Sequence, residues 1–239
     1  MKSLEKFYSS FVSAWNMVND IPFPGENTGD DSTADGFLTA AMIPVAGFVP
    51  GIVLAALGMF CRGSVAGSLI WAFAALTVIE MISSGRCGMF AAEKISEKIF
   101  GENSKSFVHS AATLLMIFKL AALYIISYSR NTGFAVIFFI LVFSFQMYCA
   151  VFPEKRAMIL VDDNEKRYLF VFPAVMAFLW FWSYPLAVLL SLCAVYAVFM
   201  LFRKKVWSEK TVLNGDDITL AAGFLEVILL VCATVSAGV

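Results

Sequence analysis

Three charged residues interrupt the long apolar runs of this chain: Glu80, Lys119 and Glu226. An ionised carboxylate in hydrocarbon is costly, so Glu226, flanked by apolar residues in GFLEVILLV, should face a bundle interior with a partner or a proton. Lys119, twelve residues into its run, is the candidate counter-charge. Such a pair could fix helix packing, or it could carry a proton or an ion. Glu226 also belongs to a longer constellation, Gly215-Asp216-Asp217 followed by Glu226. Asp216 lies ten positions earlier, about 15 Å along a helix. Asp216 and Asp217 just precede the last apolar run, where carboxylates accept the unpaired N–H groups of a helix start, and that is their plainer role.

A second group lies between 80 and 109. Gly85 and Gly88 would let backbone approach a ligand. Glu93 and Glu97 are four apart, on one helix face, as are Lys94 and Lys98. Paired carboxylates at a membrane surface could hold Mg²⁺ for phosphate chemistry; an alternation of this kind is more often a solvated helix face. His109 is the one histidine, at the edge of an apolar run. A third group, 153–167 together with Arg203-Lys204-Lys205, is rich in basic residues. It suits an anionic leaflet or an anionic substrate.

The elements that must position these groups are read from hydropathy. Of 239 residues, 60% are hydrophobic and 15% charged, with a mean hydropathy of +0.82. A water-soluble domain carries about 25% charged residues, so this chain needs a solvent that tolerates apolar surface. Net charge is −1, which argues against a nucleic-acid partner. Apolar runs cover 37–60, 64–82, 107–128, 133–152, 168–182, 184–202 and 218–237. Each is to be helical, because lipid offers no partner to free backbone groups. The fifth is short, with Pro173 inside and Pro185 at its exit, so the fifth and sixth are expected to form a kinked hairpin. The five cysteines are scattered, without a CxxC pair, and read as small buried hydrophobes.

Seven spans put the basic residues on one side. The N-terminal side collects Lys2, Lys6, Arg86, Lys94, Lys98, Lys105, Lys155, Arg156, Lys166, Arg167, Arg203, Lys204, Lys205 and Lys210, against Arg62 and Arg130 on the other. The positive-inside rule therefore places the N-terminus in the cytoplasm and the C-terminus opposite. Chemistry on soluble substrates belongs to the cytoplasmic face, because the far connections are only a few residues long. Leu4, Phe7, Tyr8, Phe11, Val12, Trp15 and Val18 follow the spacing of one helix face, ended by Ile21-Pro22-Phe23-Pro24. They predict an amphipathic helix at the inner interface. The expected fold is all-α: a polytopic membrane helix bundle of about seven spans over 37–239, preceded by an interfacial helix and an acidic loop over 1–36.

The order of these features resembles that of the cobalamin-5′-phosphate synthase (adenosylcobinamide-GDP ribazoletransferase) family. An aromatic helix runs into an Ile-Pro-Phe-Pro turn. A first span carries Pro44, Gly47 and Gly51, and the last span opens on Gly215-Asp216-x9-Glu226. A further family Glu falls on Gly223. The family's Asp-rich signature after the second span has no counterpart, since no Asp occurs between Asp35 and Asp162. The resemblance implies a Mg²⁺-dependent transferase of cobalamin biosynthesis in the cell inner membrane. It would join α-ribazole or its phosphate to adenosylcobinamide-GDP and release GMP. On that reading Asp216, Glu226 and Lys119 would be catalytic. Gly85, Gly88 and Gly215 would line the corrinoid nucleotide, and Glu93 and Glu97 would hold the metal. Two alternatives stand beside it: a non-catalytic paralogue that assembles with other membrane proteins, and a small transporter using Glu226 and Lys119.

Overall fold

The computed structural model describes residues 2–18, 35–61, 63–82, 105–151, 159, 161–205 and 215–237. The described residues are helical, joined by turns. The helices are α1 (Lys2–Val18), α2 (Gly36–Cys61), α3 (Val65–Ile82), α4 (Lys105–Tyr128), α5 (Phe134–Val151), the single turn α6 (Asp163–Lys166), α7 (Val171–Phe181), α8 (Pro185–Lys205) and α9 (Gly215–Ala237). From α2 onward a helix stands at each of the seven apolar runs.

Helix α5 is apolar on every face and is enclosed accordingly. Every residue from Phe134 to Phe145 is buried. Its main partner is α2, and α7, α8 and α9 also touch it. The α2–α5 contact is close because α2 presents glycines to it. A Cβ at Gly47 would stand 2.7 Å from Cγ of Phe143, and one at Gly51 would stand 2.8 Å from Cα of Val136. Small residues four apart let two helix backbones approach where lipid gives no hydrophobic push. Indole N–H groups close two more seams. Trp71 donates to the Leu54 carbonyl at 2.7 Å, joining α3 to α2, and Trp180 donates to the Gly133 carbonyl at 3.1 Å.

The outer surface is also apolar. Phe60, Ile70, Phe178 and Trp182 are exposed, at 89%, 64%, 69% and 86%. A water-soluble surface of this kind would be an aggregation hazard. Among the described residues, three helices (α2, α3 and α5) are long and apolar enough to cross a membrane.

The short connections gather at one end. Gly63 lies beside the Arg130 side chain, Gly58 against Thr132, and Gly133 against Tyr184. The last turn of α9, at Ser236 and Ala237, borders the same region as Asn131 and Ser183. Arg130 adopts φ 62°, in the left-handed region, where the α4–α5 turn reverses; the Asn131 N–H returns to the Ile126 carbonyl at 2.9 Å.

Two expectations change in detail. The fifth run is not one helix from 168. A 3₁₀ turn covers Arg167–Phe170, and the α-helix begins at Val171. Pro173 falls in the first turn of α7, where its missing N–H breaks no interior bond. The apolar stripe of α1 is divided as well. Val12 is buried with Phe11 and Trp15 half-buried, while Leu4, Phe7 and Tyr8 remain exposed. α1 packs on α2, and that contact covers only the later half of the stripe.

Candidate functional site: a buried lysine between two carboxylates

Lys119 sits near the middle of α4 with no solvent exposure. Its Nζ donates to Oε1 of Glu80 at 2.8 Å and to Oε2 of Glu226 at 2.9 Å. Glu80 comes from the last turn of α3, and Glu226 from the middle of α9. α4 packs against both helices, so three separate segments deliver one cluster. The side chains of Glu80 and Glu226 are 16% and 5% exposed. The local sequence explains the orientation. In each helix the charged residue is surrounded by apolar ones, and turning it inward is the arrangement that spares it from hydrocarbon.

The cluster carries two carboxylates and one ammonium. With all three ionised it sums to −1, and it becomes neutral on taking up one proton. Charge-assisted bonds of this length are the strong kind. In an apolar surround, removing one partner costs far more than the pair's net contribution, because it leaves a charge buried and uncompensated.

The Glu226–Lys119 pairing expected from sequence is thus present in the geometry, and Glu80 joins it. The signal for Glu80 was already there: the apolar runs contain three charges, and Lys119 is the one cation among them that either carboxylate could pair with. Asp216 and Gly215 open α9. The rise of the helix puts Asp216 about 15 Å from Glu226 along the axis, so the motif's two acids occupy different levels of the bundle. Gly85, Gly88, Glu93 and Glu97 lie outside the described residues. His109 falls within α4.

The fit of a magnesium ion can be judged from the donor set. Glu80 and Glu226 close on an ammonium, which occupies the position a cation would need between them. Those two carboxylates therefore do not fit Mg²⁺, which prefers octahedral oxygen ligation. Among the described residues, no group of three His, Cys, Asp or Glu side chains could hold a metal.

Sequence reading also missed a clamp at the start of the bundle. Asp35 caps α2: its Oδ1 accepts the Phe37 N–H at 3.0 Å, and its Oδ2 accepts Lys6 Nζ of α1 at 2.8 Å. The lysine beside it is the main cause that holds the Asp35 carboxyl below its ordinary value. The signal was an acidic residue immediately before an apolar run. It was hidden by the neighbouring acids of 25–36, where Asp30, Asp31 and Asp35 look alike.

Set against protein-family models, curated proteins and solved structures, the chain finds no match in any of the three comparisons.

Proposed function

We propose that this chain is a seven-span inner-membrane protein of the adenosylcobinamide-GDP ribazoletransferase type, with its N-terminus cytoplasmic and its working end at the cytoplasmic face. It joins α-ribazole or its phosphate to adenosylcobinamide-GDP with release of GMP. The observation that carries this reading is the placement of the Gly215-Asp216-x9-Glu226 motif on a single helix, α9. Its last acid is bonded to Lys119 in the bundle, and its first stands in the opening turn of that helix. In this reading Glu226 and Lys119 hold α9 in register, and Asp216, in the first turn of that helix, is the residue that acts on the substrate. The basic residues of that end attract the diphosphate and the nucleotide. The bond broken is the phosphoanhydride to GMP, and an oxygen of the ribazole partner forms the new one.

The direct test is incubation of the detergent-purified protein with adenosylcobinamide-GDP and α-ribazole in a magnesium buffer. GMP release that disappears in Asp216→Asn is the expected result. No product above background at high protein concentration removes the activity and leaves the reading of a non-catalytic partner, whose mark is co-purification with another membrane protein.

The charge of the cluster favours a second reading, a small proton- or ion-coupled transporter. A buried triad one proton short of neutrality is a suitable coupling site. That reading requires a proton- or ion-dependent flux in proteoliposomes that vanishes in Glu226→Gln.

A further inference from the structure

A second feature lies away from the charged cluster, on the flank formed by α5, α7 and α8. A groove of about 690 Å³ opens there, with walls that are almost entirely apolar. Phe145 and Tyr148 of α5 form its floor, Ala174 and Ala177 of α7 one wall, and Leu192 and Tyr196 of α8 the other. The groove is open at the side of the bundle, where Phe178 and Tyr196 are 69% and 64% exposed. It therefore faces lipid if the chain spans a membrane. The geometry points to a binding site for one acyl chain of an anionic glycerophospholipid, with the phosphate at the end where α7 begins and α8 finishes.

Three observations select this occupant. The first is length. On α8 the lining runs from Val188 to Phe199, eleven steps of helix or about 17 Å, which is half of a hydrocarbon core of about 30 Å. The groove is thus as long as one leaflet, the reach of one acyl chain. The second is direction. α7 and α8 form a hairpin through the turn at Ser183, so the start of α7 and the end of α8 share one end. The third is charge at that end. Lys166 and Arg167 precede α7, and Arg203, Lys204 and Lys205 are the last residues of α8. By sequence these segments carry five basic residues against three acids, Asp162, Asp163 and Glu165, so this end of the hairpin is basic on balance. Arg167 is exposed, with its guanidinium 4.9 Å above the Tyr168 ring. A headgroup phosphate matches a basic rim of this kind. The aromatic group of Tyr148, Phe170 and Phe199 lies just inside it, with the Tyr148 and Phe199 rings 4.7 Å apart. It marks the level at which the groove passes from polar to apolar.

The inference rests on the membrane reading, which carbonate extraction of wild-type membranes tests separately. The site is tested by native mass spectrometry of the protein released from nanodiscs of equal phosphatidylglycerol and phosphatidylcholine. One retained phosphatidylglycerol is expected, and Ala177→Trp, which fills the groove, should remove it. A triple variant, Arg167→Ala with Arg203→Ala and Lys204→Ala, leaves the groove intact and should lower the preference for phosphatidylglycerol by about five-fold for each basic residue that meets the phosphate. Should Ala177→Trp fail to fold, the triple variant alone decides, and an unchanged lipid ratio overturns the proposal. A wild-type protein without retained lipid, or an Ala177→Trp protein that keeps it, also overturns it. So does a dimer mass that Ala177→Trp abolishes, since a second copy would then fill the groove. Displacement of the lipid by inorganic phosphate would mean that the rim alone is the site, with the same consequence.

Discussion

Lys119 and Glu226 are 107 residues apart in the chain and 2.9 Å apart in the fold, and both are buried. A bond between such distant positions reports the helix arrangement directly, because α4 and α9 must be neighbours at one depth for it to exist. It also makes the arrangement sensitive to the loss of either charge.

Lys119→Met leaves two carboxylates facing each other without a cation. The variant should be destabilised by roughly 3–5 kcal/mol, the range for breaking a buried pair by removing one partner. Combining it with Glu226→Leu and Glu80→Leu should recover most of that loss. Thermal unfolding in detergent checks both. A Lys119→Met protein as stable as wild type would mean that the three groups do not meet.

Glu80→Gln should be far milder. It leaves one carboxylate and one ammonium, a neutral pair, and glutamine still offers an oxygen to Lys119. A loss on the order of 1 kcal/mol is expected, the usual net value of one hydrogen bond. If Glu80→Gln and Lys119→Met prove equally damaging, Lys119 is not the hub of the cluster.

Gly51→Ala tests the helix contact. Its new methyl would meet the Val136 backbone at 2.8 Å, and backbone cannot step aside as a flexible side chain can. Overpacking of this kind costs about 1–3 kcal/mol. At Gly47 the methyl meets the Phe143 ring and also the Phe139 carbonyl at 2.9 Å, so a loss of similar size is expected. Unfolding midpoints of the two alanine variants check this, and wild-type values for both would contradict the close α2–α5 approach.

The Lys6–Asp35 clamp gives a pH dependence whose sign is set by the lowered Asp35 carboxyl. Its ordinary value is 3.8 and its folded value lies below that, so the stabilisation is complete above about 4 and is lost as pH falls through the folded value. Both side chains are partly exposed, at 51% and 39%, which limits the ion pair to less than about 1 kcal/mol. Asp35→Ala should cost about 1 kcal/mol more, through the lost cap. Wild type and Asp35→Asn should differ in protease release of α1 at neutral pH and converge only as pH falls below the lowered Asp35 value.

Reporter fusions test the proposed span count. An N-terminal tag should be cytoplasmic and a C-terminal tag on the opposite side. Tags on the same side would exclude seven crossings.

Most of the helical framework was legible because hydropathy records it residue by residue. The runs at 37–60 and 133–152 end within a few residues of α2 and α5, where turn residues such as Asn131, Thr132 and Gly133 interrupt the apolar pattern. The fifth run was harder, because Tyr168, Leu169 and Phe170 are as apolar as the residues that follow. Only the backbone demands of Pro173 separate the 3₁₀ turn from the helix. In the candidate site, Glu226 was legible from the cost of a charge in hydrocarbon, and Lys119 from the need to offset it. Glu80 was read with the loop beyond it, since two residues separate it from the end of α3. Asp35 could not be picked from its acidic neighbours, because capping depends on where the first N–H groups point. The groove on α7 and α8 left no mark, for its walls use the same residue types as the lipid-facing surface around it.

The enclosure of α5 has one more consequence. Among the described residues the rod from Phe134 to Phe145 is buried throughout, so a solute path along α5 itself would have to part close-packed side chains. The charges of the buried cluster stand to one side of it, among α3, α4 and α9.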